Sequence, residues 1–302
     1  MTVISPGHAG FVAALALGCG DPTPTATATA PTPPAPTERA APGAQALSGL
    51  CEASAVVPWE GGWLVGDNET EDRLHRFQLD WTPSAPVQLT PEIEDIEALA
   101  PLPQGLLVVG SQSRNKDGEA RPAREQVMLL GHGPVRPDLS GCAPCEAARG
   151  RPPKQGGLSV EGAAWWQGAL WLGVRSPLVD GQALLLELAG DPTAALTVAR
   201  VLPVDLGGGG VRDLVVQGEQ LWILGGPADA TPIHHGLYRL DSPTATAARI
   251  QDLPDRSEGL AVGPQGAVVV TDGDGQPGSR CKLPSEVYGI TLPSGPAPTP
   301  AP

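Results

Sequence analysis

Acidic residues recur along this chain at the points where short apolar runs begin. The five positions share one pattern, an acid followed by small or aliphatic residues: Glu52, Glu97, Glu161, Asp213 and Glu258. Carboxylates that converge on one point repel each other, and a hard cation bound by oxygen ligands relieves that repulsion. These residue types therefore suggest a cation site, with calcium as the ion and Glu161, Glu258 and Asp272 as its ligands.

The same acids also have a structural interpretation. A buried carboxylate at the start of a strand can accept backbone N–H bonds from a neighbouring unit or pair with arginine. The acid recurs in every repeat, whereas a single site needs only one or two such residues. We therefore favour the structural role for most of the acids.

Two arginines depart from the repeat and mark the positions where we expect a ligand. Arg175 and Arg212 stand among the acids. A guanidinium group either pairs with a carboxylate or binds an anionic ligand group through two parallel hydrogen bonds. The candidate ligand-binding residues are Arg175, Arg212, Asp213, Glu161, Glu258 and Glu97.

The spacing of the acids predicts the elements that position them. The intervals between successive acids are 45, 64, 52 and 45 residues, and a stronger apolar run follows each acid. Repeats near this length, with four short strands each, are typical of a β-propeller. We expect an all-β fold, a single propeller with five blades of about four antiparallel strands. Six blades would result if the long second repeat hid another blade, and a β-sandwich is the third choice.

The two ends of the propeller must meet to close the ring. The fifth repeat runs out after its third strand, and an open blade edge is a template for aggregation. Residues 44–50, just ahead of the first acid, are the only spare segment. We therefore expect an N-terminal strand to complete the last blade of a domain at residues 46–292, with an insertion at 131–157.

Cysteine usage favours structural disulfides. Cys142 and Cys145 have the Cys-x-x-Cys spacing of redox and zinc sites, but His132 is the only further zinc ligand nearby, and no helical redox context is evident. Of the three possible pairings of four cysteines, we favour Cys142–Cys145 as a loop staple and Cys51–Cys281 as a clasp. Disulfides indicate an oxidising compartment.

The N-terminal residues resemble an export signal. Residues 10–17 form an apolar stretch too short to span a bilayer, and the Leu-Ala-Leu-Gly-Cys sequence ending at Cys19 resembles a bacterial lipobox. The Pro/Thr/Ala-rich tract at 20–45 and the tail at 293–302 contain too little apolar surface to fold. We expect residues 1–19 to be a signal whose last residue, Cys19, is lipidated, followed by a disordered tether. The alternative is an ordinary secreted protein.

The charge balance restricts the partners. The formal net charge of -14 argues against binding to nucleic acid or to an anionic membrane surface, so we expect membrane contact only through the lipid anchor. We expect a monomer whose partner is a small ligand or an envelope protein.

The third and fourth repeats carry a more specific pattern. It comprises Glu161-Gly162, Gly173-x-Arg175-x-Pro177, a glycine run that leads into Arg212-Asp213-Leu214, and Gly226-Pro227. The order resembles the bacterial domain of unknown function 3616 family over roughly residues 159–261. The resemblance implies a propeller-like fold in an often exported protein, and no established activity.

Two function classes follow from these observations. We favour a ligand- or protein-binding scaffold at the cell envelope over an enzyme. The acid-Gly pairs also resemble those of lactonase and phytase-like propellers, in which an acid at this position binds the metal. The alternative is therefore a calcium-type hydrolase of the lactonase or phosphoesterase kind that uses the acidic rim of the channel.

Overall fold

A computed structural model describes residues 43–273 and 281–293. The described chain begins with a two-residue strand, β1 (Gln45–Ala46). Blade 1 follows with β2 (Ala53–Trp59), β3 (Gly62–Asp67), β4 (Arg73–Phe77) and β5 (Pro83–Gln88). Blade 2 has three strands, β6 (Ile96–Leu102), β7 (Gly105–Gly110) and β8 (Val127–Leu129). A single bridge between Val127 and Val135 stands where a fourth strand would pair.

An insertion separates blades 2 and 3. It contains a short helix, α1 (Ala143–Ala148), and a 3-10 turn at Pro153–Gln155. Cys142 caps α1 and forms a disulfide with Cys145. The apolar side of α1 packs into the core between blades 2 and 3, with Cys145 and Ala148 buried. The insertion is thus a packed part of the domain, and it hides no sixth blade.

The remaining blades complete a five-bladed ring. Blade 3 contains β9 (Ser159–Trp166), β10 (Ala169–Val179), β11 (Gln182–Asp191) and β12 (Ala195–Val204). Blade 4 contains β13 (Gly210–Gln217), β14 (Gln220–Gly226), β15 (Gly236–Leu240) and β16 (Ala248–Asp252). Blade 5 contains β17 (Ser257–Gly263), β18 (Gly266–Thr271) and β19 (Glu286–Ile290).

The last blade is closed by the N-terminal strand. β1 pairs antiparallel with β19, with Gln45 opposite Val287, and so forms the outer strand of blade 5. The Cys51–Cys281 disulfide joins the same two chain ends across 230 residues. These findings confirm the predicted five-bladed propeller and its closure, and both disulfides have the pairing favoured from the sequence.

The core lies between neighbouring blades. Branched aliphatic residues dominate it, and Trp63, Trp166, Trp171 and Trp222 are fully buried. Blades 3 and 4 approach so closely at Gly173 that only a glycine fits there, because a Cβ atom would clash with Cγ1 of Val211. In the described part of the chain, no helix is long and apolar enough to cross a membrane. The predicted lipidation site, Cys19, lies outside the described residues.

Candidate functional site

One residue near the start of every innermost strand is skipped in the pairing with the next strand. In blade 2, for example, Ile96 pairs with Gly110 and Ala98 pairs with Val109, which leaves Glu97 unpaired. We call this set of bulged residues the bulge ring, and its members are Ser54, Glu97, Glu161, Arg212 and Glu258. A bulge redirects a side chain, and bulges are enriched beside functional sites.

The bulge ring corrects the repeat deduced from the sequence. In blade 4 the residue equivalent to the acids is Arg212, and Asp213 lies one position further along. In blade 1 the equivalent residue is Ser54, whereas Glu52 precedes β2 and bridges Asp272 of blade 5. Three acids, one arginine and one serine therefore occupy the five equivalent positions, because the register at the bulge is a property of the pairing.

Arg212 joins the two acids on either side of it in the ring. Its Nη1 donates to Oε2 of Glu161 at 2.7 Å, and its Nη2 donates to Oε1 of Glu258. Glu161 also accepts from Nη1 of Arg175 at 2.7 Å and from Oγ of Ser159 at 3.1 Å. Blades 3, 4 and 5 are thus tied together by charge-assisted hydrogen bonds at the mouth of the channel.

The pKa values of the two tied acids differ because the arginines are shared unequally. Burial alone would raise the pKa of Glu161, but Arg175 and Arg212 outweigh burial and lower that pKa below its usual value. For Glu258 burial dominates, the negative charge of Glu161 adds to it, and the pKa rises to about 8 despite Arg212. Glu161 is therefore the carboxylate that the arginines hold ionised.

Glu97 is the exception among the bulged acids. It has no hydrogen bond or ion pair with any of the described residues. Burial is the main cause of a pKa well above the usual value, and the negative charges of Glu161, Asp95 and Glu258 raise it further, against a smaller opposing effect of Arg212. The surroundings of Glu97 therefore favour its protonated form.

Glu97 lies in a cavity of about 400 Å³ at the blade 2 and blade 3 side of the channel mouth. We call this cavity the inter-blade pocket. Its basic lining residues are Arg114, Lys116, Arg124, Lys154 and Arg175. Its acidic lining residues are Asp95, Glu97 and Glu161. Of the six ligand-binding residues predicted from the sequence, the pocket brings together Glu97, Glu161 and Arg175, and the other three do not line it.

The basic residues of the pocket fall into two groups. Arg124 forms ion pairs with Glu94 at 2.9 Å and with Asp95 at 3.1 Å, and Arg175 is bound to Glu161. Arg114 donates to the backbone oxygen of Arg149 at 3.0 Å. Within the described residues, Lys116, Lys154 and Arg114 have no carboxylate partner.

The insertion carries Lys154 to the pocket and is anchored there by a buried acid. Glu125, only 3% exposed, lies between β7 and β8 and pairs with Arg149 at 3.4 Å and with Arg136. Both arginines belong to the insertion. Lys116, Lys154 and Arg124 are not among the residues predicted from the sequence, because they lie in loops outside the repeated strands. The basic residues Arg149, Arg151 and Lys154 of the insertion were the available signal.

Asp213 has a structural role at the boundary of blades 4 and 5. Its Oδ1 accepts from the backbone N–H of Leu214 at 2.7 Å, and its Oδ2 accepts from the backbone N–H of Leu260, also at 2.7 Å. Burial raises its pKa well above the usual value. Asp213, predicted as a ligand-binding residue, therefore links neighbouring blades.

His235 is a further residue that is not among the site residues predicted from the sequence. It is buried, and neither ring nitrogen has a partner among the described residues. Burial, together with the positive charges of Arg212 and Arg175, lowers its pKa to about 3, so the imidazole is neutral. This histidine therefore adds no positive charge beside Arg212 on the blade 4 side of the channel mouth.

The residues predicted as calcium ligands do not form a ligand set. Among the described residues, no group of three or more His, Cys, Asp or Glu side chains has the geometry to hold a metal ion. Arg212 lies between Glu161 and Glu258 and supplies the positive charge that the sequence analysis assigned to calcium. Asp272 lies at the edge of blade 5, where burial raises its pKa to about 6.

The opposite end of the channel is apolar. A cavity of about 140 Å³ is lined there by residues of the second halves of the inner strands, including Val57, Leu99, Ala163 and Val215. No charged side chain lines this cavity within the described chain. The polar chemistry of the channel is concentrated at the mouth that carries the bulge ring.

Solved structures similar to this chain share its fold. A thermostable family-43 glycoside hydrolase has 12% sequence identity and a TM-score of 0.51, over 85% of this chain and 98% of that one. The Bacteroides ovatus protein described as xyloglucan PUL GH43B has 13% identity and a TM-score of 0.47, over 80% of this chain. This chain spans about half of that protein, 52%. The likeness to the thermostable hydrolase concerns the fold alone.

Family comparison agrees with the motifs of blades 3 and 4. No curated protein matches the chain. The model of the family described as Protein of unknown function (DUF3616) matches residues 150–262, which include β9 to β16 and most of β17. This match contains Glu161, Arg175, Arg212 and Glu258 but not Glu97. Residues 150–262 thus match the same family that the motifs of the third and fourth repeats resemble.

Proposed function

We propose that this protein is an exported binding propeller that holds a small anionic ligand in the inter-blade pocket. The observation that carries the proposal is the local charge. Three basic side chains, Arg114, Lys116 and Lys154, reach the pocket without a carboxylate partner in the described chain. An anion bound among them would gain charge-assisted hydrogen bonds.

The positive charge of the pocket is local. The chain as a whole has a formal net charge of -14, and another cavity of about 400 Å³, beside blade 1, is lined by acids that include Asp67, Glu69 and Glu92. In the inter-blade pocket, by contrast, five basic side chains face three acids, Asp95 and Glu161 are already paired with arginines, and the surroundings of Glu97 favour its protonated form. A ligand there meets a net positive surface in an otherwise acidic protein.

The size of the pocket restricts the ligand. Cavities of about 300–1,000 Å³ are usual for small-molecule sites, and the inter-blade pocket lies at the lower end of that range. It suits a single carboxylated or phosphorylated small molecule, such as a sugar acid. A protein partner would instead contact the whole rim.

Export to the cell envelope is the second part of the proposal. Two disulfides indicate an oxidising compartment. The apolar stretch at residues 10–17 and the lipobox-like sequence ending at Cys19 support a lipid anchor. Radiolabelled palmitate incorporation into the expressed precursor, compared with a Cys19→Ala variant, tests the anchor. Equal labelling of both would contradict it.

Titration calorimetry of the purified full chain tests the ligand class. The probes are D-glucuronate and inorganic phosphate, with D-glucose as the uncharged control and calcium chloride as the probe for the hydrolase alternative. We expect the anions to bind and glucose not to bind. Calcium binding in the absence of anion binding would overturn the proposal in favour of the metal-dependent alternative.

A matched pair of variants locates the site. We expect Lys154→Gln to weaken anion binding about tenfold, which corresponds to about 1.4 kcal/mol. Lys282→Gln removes the same charge outside the pocket and should leave affinity within about twofold. Equal effects of the two substitutions would indicate a nonspecific response to net charge.

A further inference from the structure

Two arginines contact two of the three acids of the bulge ring. Arg212 contacts Glu161 and Glu258, and Arg175 contacts Glu161. Glu97 sits at an equivalent backbone position but contacts neither guanidinium group. The protonated form is favoured for the acid without an arginine partner, because an isolated carboxylate removed from water is costly.

The carboxyl group of Glu97 lines the inter-blade pocket and has no hydrogen-bond partner among the described residues. The charged groups around it come from several elements: Asp95 before β6, Glu161 on β9, Arg175 on β10, Arg212 on β13, Glu258 on β17, and Arg114, Lys116, Arg124 and Lys154 from the loops. Arg175 and Arg212 each donate to Glu161. The uncharged acid therefore has a hydrogen to donate and no acceptor among the described residues.

We propose that Glu97 binds the anion as an uncharged acid, donating its hydrogen to an anionic oxygen of the ligand, and so selects ligands that present such an oxygen beside the arginine-bound Glu161. The inference rests on the proposed function and adds the group that determines specificity. An O–H donor to an anionic oxygen makes a short, strong hydrogen bond. A ligand that presents an ammonium group there has no lone pair to accept this hydrogen.

This role makes binding sensitive to pH in one direction. Once Glu97 loses its proton, its carboxylate repels the anion instead of donating to it. Affinity should therefore fall as pH rises through the ionisation of Glu97, by about tenfold per pH unit at the limiting slope. Glu258 also titrates at this mouth, with a pKa of about 8, so a variant must separate the two groups.

Glu97→Gln is the variant that separates them, because the amide keeps a donor and cannot ionise. Calorimetry with D-glucuronate, whose carboxylate is fully ionised above about pH 6, is carried out at pH values from about 6 to about 9. We expect wild-type affinity to fall across this range and Glu97→Gln to bind with a much smaller slope. The control Glu219→Gln, an exposed acid outside the pocket, should keep the wild-type slope.

A second measurement tests the proton directly. Binding enthalpies measured in two buffers with different ionisation enthalpies report the protons taken up. At high pH the wild type should take up a proton when D-glucuronate binds, and Glu97→Gln should take up less. Equal pH slopes and equal proton uptake in both proteins would overturn the role of Glu97 while leaving anion binding intact. Failure of the wild type to bind any anion would instead overturn the proposed function.

Discussion

Two halves of the bulge ring use the same backbone position for different purposes. On the side of blades 3, 4 and 5, Glu161 and Glu258 are joined by Arg212, with both of its terminal nitrogens engaged. On the side of blades 1 and 2, Ser54 donates to the backbone oxygen of Ile96, and Glu97 has no partner in the described chain. Ser54 and the first half thus link neighbouring blades, whereas Glu97 lines the inter-blade pocket without a partner of its own.

The comparison shows how a repeat fold separates architecture from function. Where ion pairs join members of the bulge ring, the polar groups of those members are already engaged with each other. A position that departs from that arrangement, while remaining buried, keeps its chemistry available. Glu97 is therefore the residue of interest: the equivalent acids Glu161 and Glu258 have arginine partners, and Glu97 has none among the described residues.

The largest expected effect lies in the satisfied half. Arg212→Gln removes the cation between Glu161 and Glu258, and breaking a buried ion pair from one side costs about 3–5 kcal/mol in the free energy of unfolding. Urea denaturation followed by tryptophan fluorescence measures the change. Arg200→Gln, which breaks the exposed pair with Glu187, serves as control and should cost at most about 1 kcal/mol. Similar losses for the two variants would contradict the structural role of the ring.

A smaller loss is expected at the boundary of blades 4 and 5. Asp213→Asn retains one acceptor oxygen but turns an amide nitrogen toward the other backbone N–H, at Leu214 or Leu260. Leaving a buried donor unsatisfied costs about 1–3 kcal/mol. The exposed Asp191→Asn, where a turn N–H loses its partner in water, is the control. An Asp213→Asn protein as stable as the wild type would show that this contact does not hold the blades.

The smallest effect is expected at Glu97, and its sign depends on pH. An acid whose pKa is raised on folding binds its proton more tightly in the folded state, so its contribution to stability is complete at low pH and is lost as pH rises. Without ligand, Glu97→Gln should match the wild type within about 0.5 kcal/mol near pH 5. Near pH 8.5 the variant should be the more stable protein, because its amide needs no proton.

Thermal melts at the two pH values measure this difference. Glu219→Gln should show no change of sign between them. A Glu97→Gln variant that is destabilised at both pH values would mean that Glu97 has a structural partner, and the contrast between the two halves of the ring would disappear.

Local patterning was sufficient to predict the architecture. The spacing of apolar runs indicated five blades. The missing outer strand of the fifth repeat indicated closure by residues just before Cys51, and the pairing of Cys51 with Cys281 agrees with that closure. Each of these predictions depends on strand periodicity and chain connectivity, which the order of residues records directly.

The candidate site was only partly predictable. Glu97, Glu161 and Arg175 were identified, but the acids of the repeat were treated as equivalent when Asp213 and Glu52 are not members of the bulge ring. A bulge shifts the register by one residue, and that shift depends on how two strands pair rather than on either strand alone. Lys116 and Lys154 were missed because they lie in loops whose positions depend on the packing of the insertion.

The sequence by itself thus determined the number of blades, the closure of the ring and the types of residue at its mouth. Only the tertiary structure decided which acid each arginine contacts. The reason is physical: contacts between blades depend on how the strands pack, and in the packed ring both guanidinium groups contact Glu161 and one also contacts Glu258, so Glu97 has no arginine partner. That selection makes Glu161 and Glu258 part of the fold and leaves Glu97 facing the inter-blade pocket.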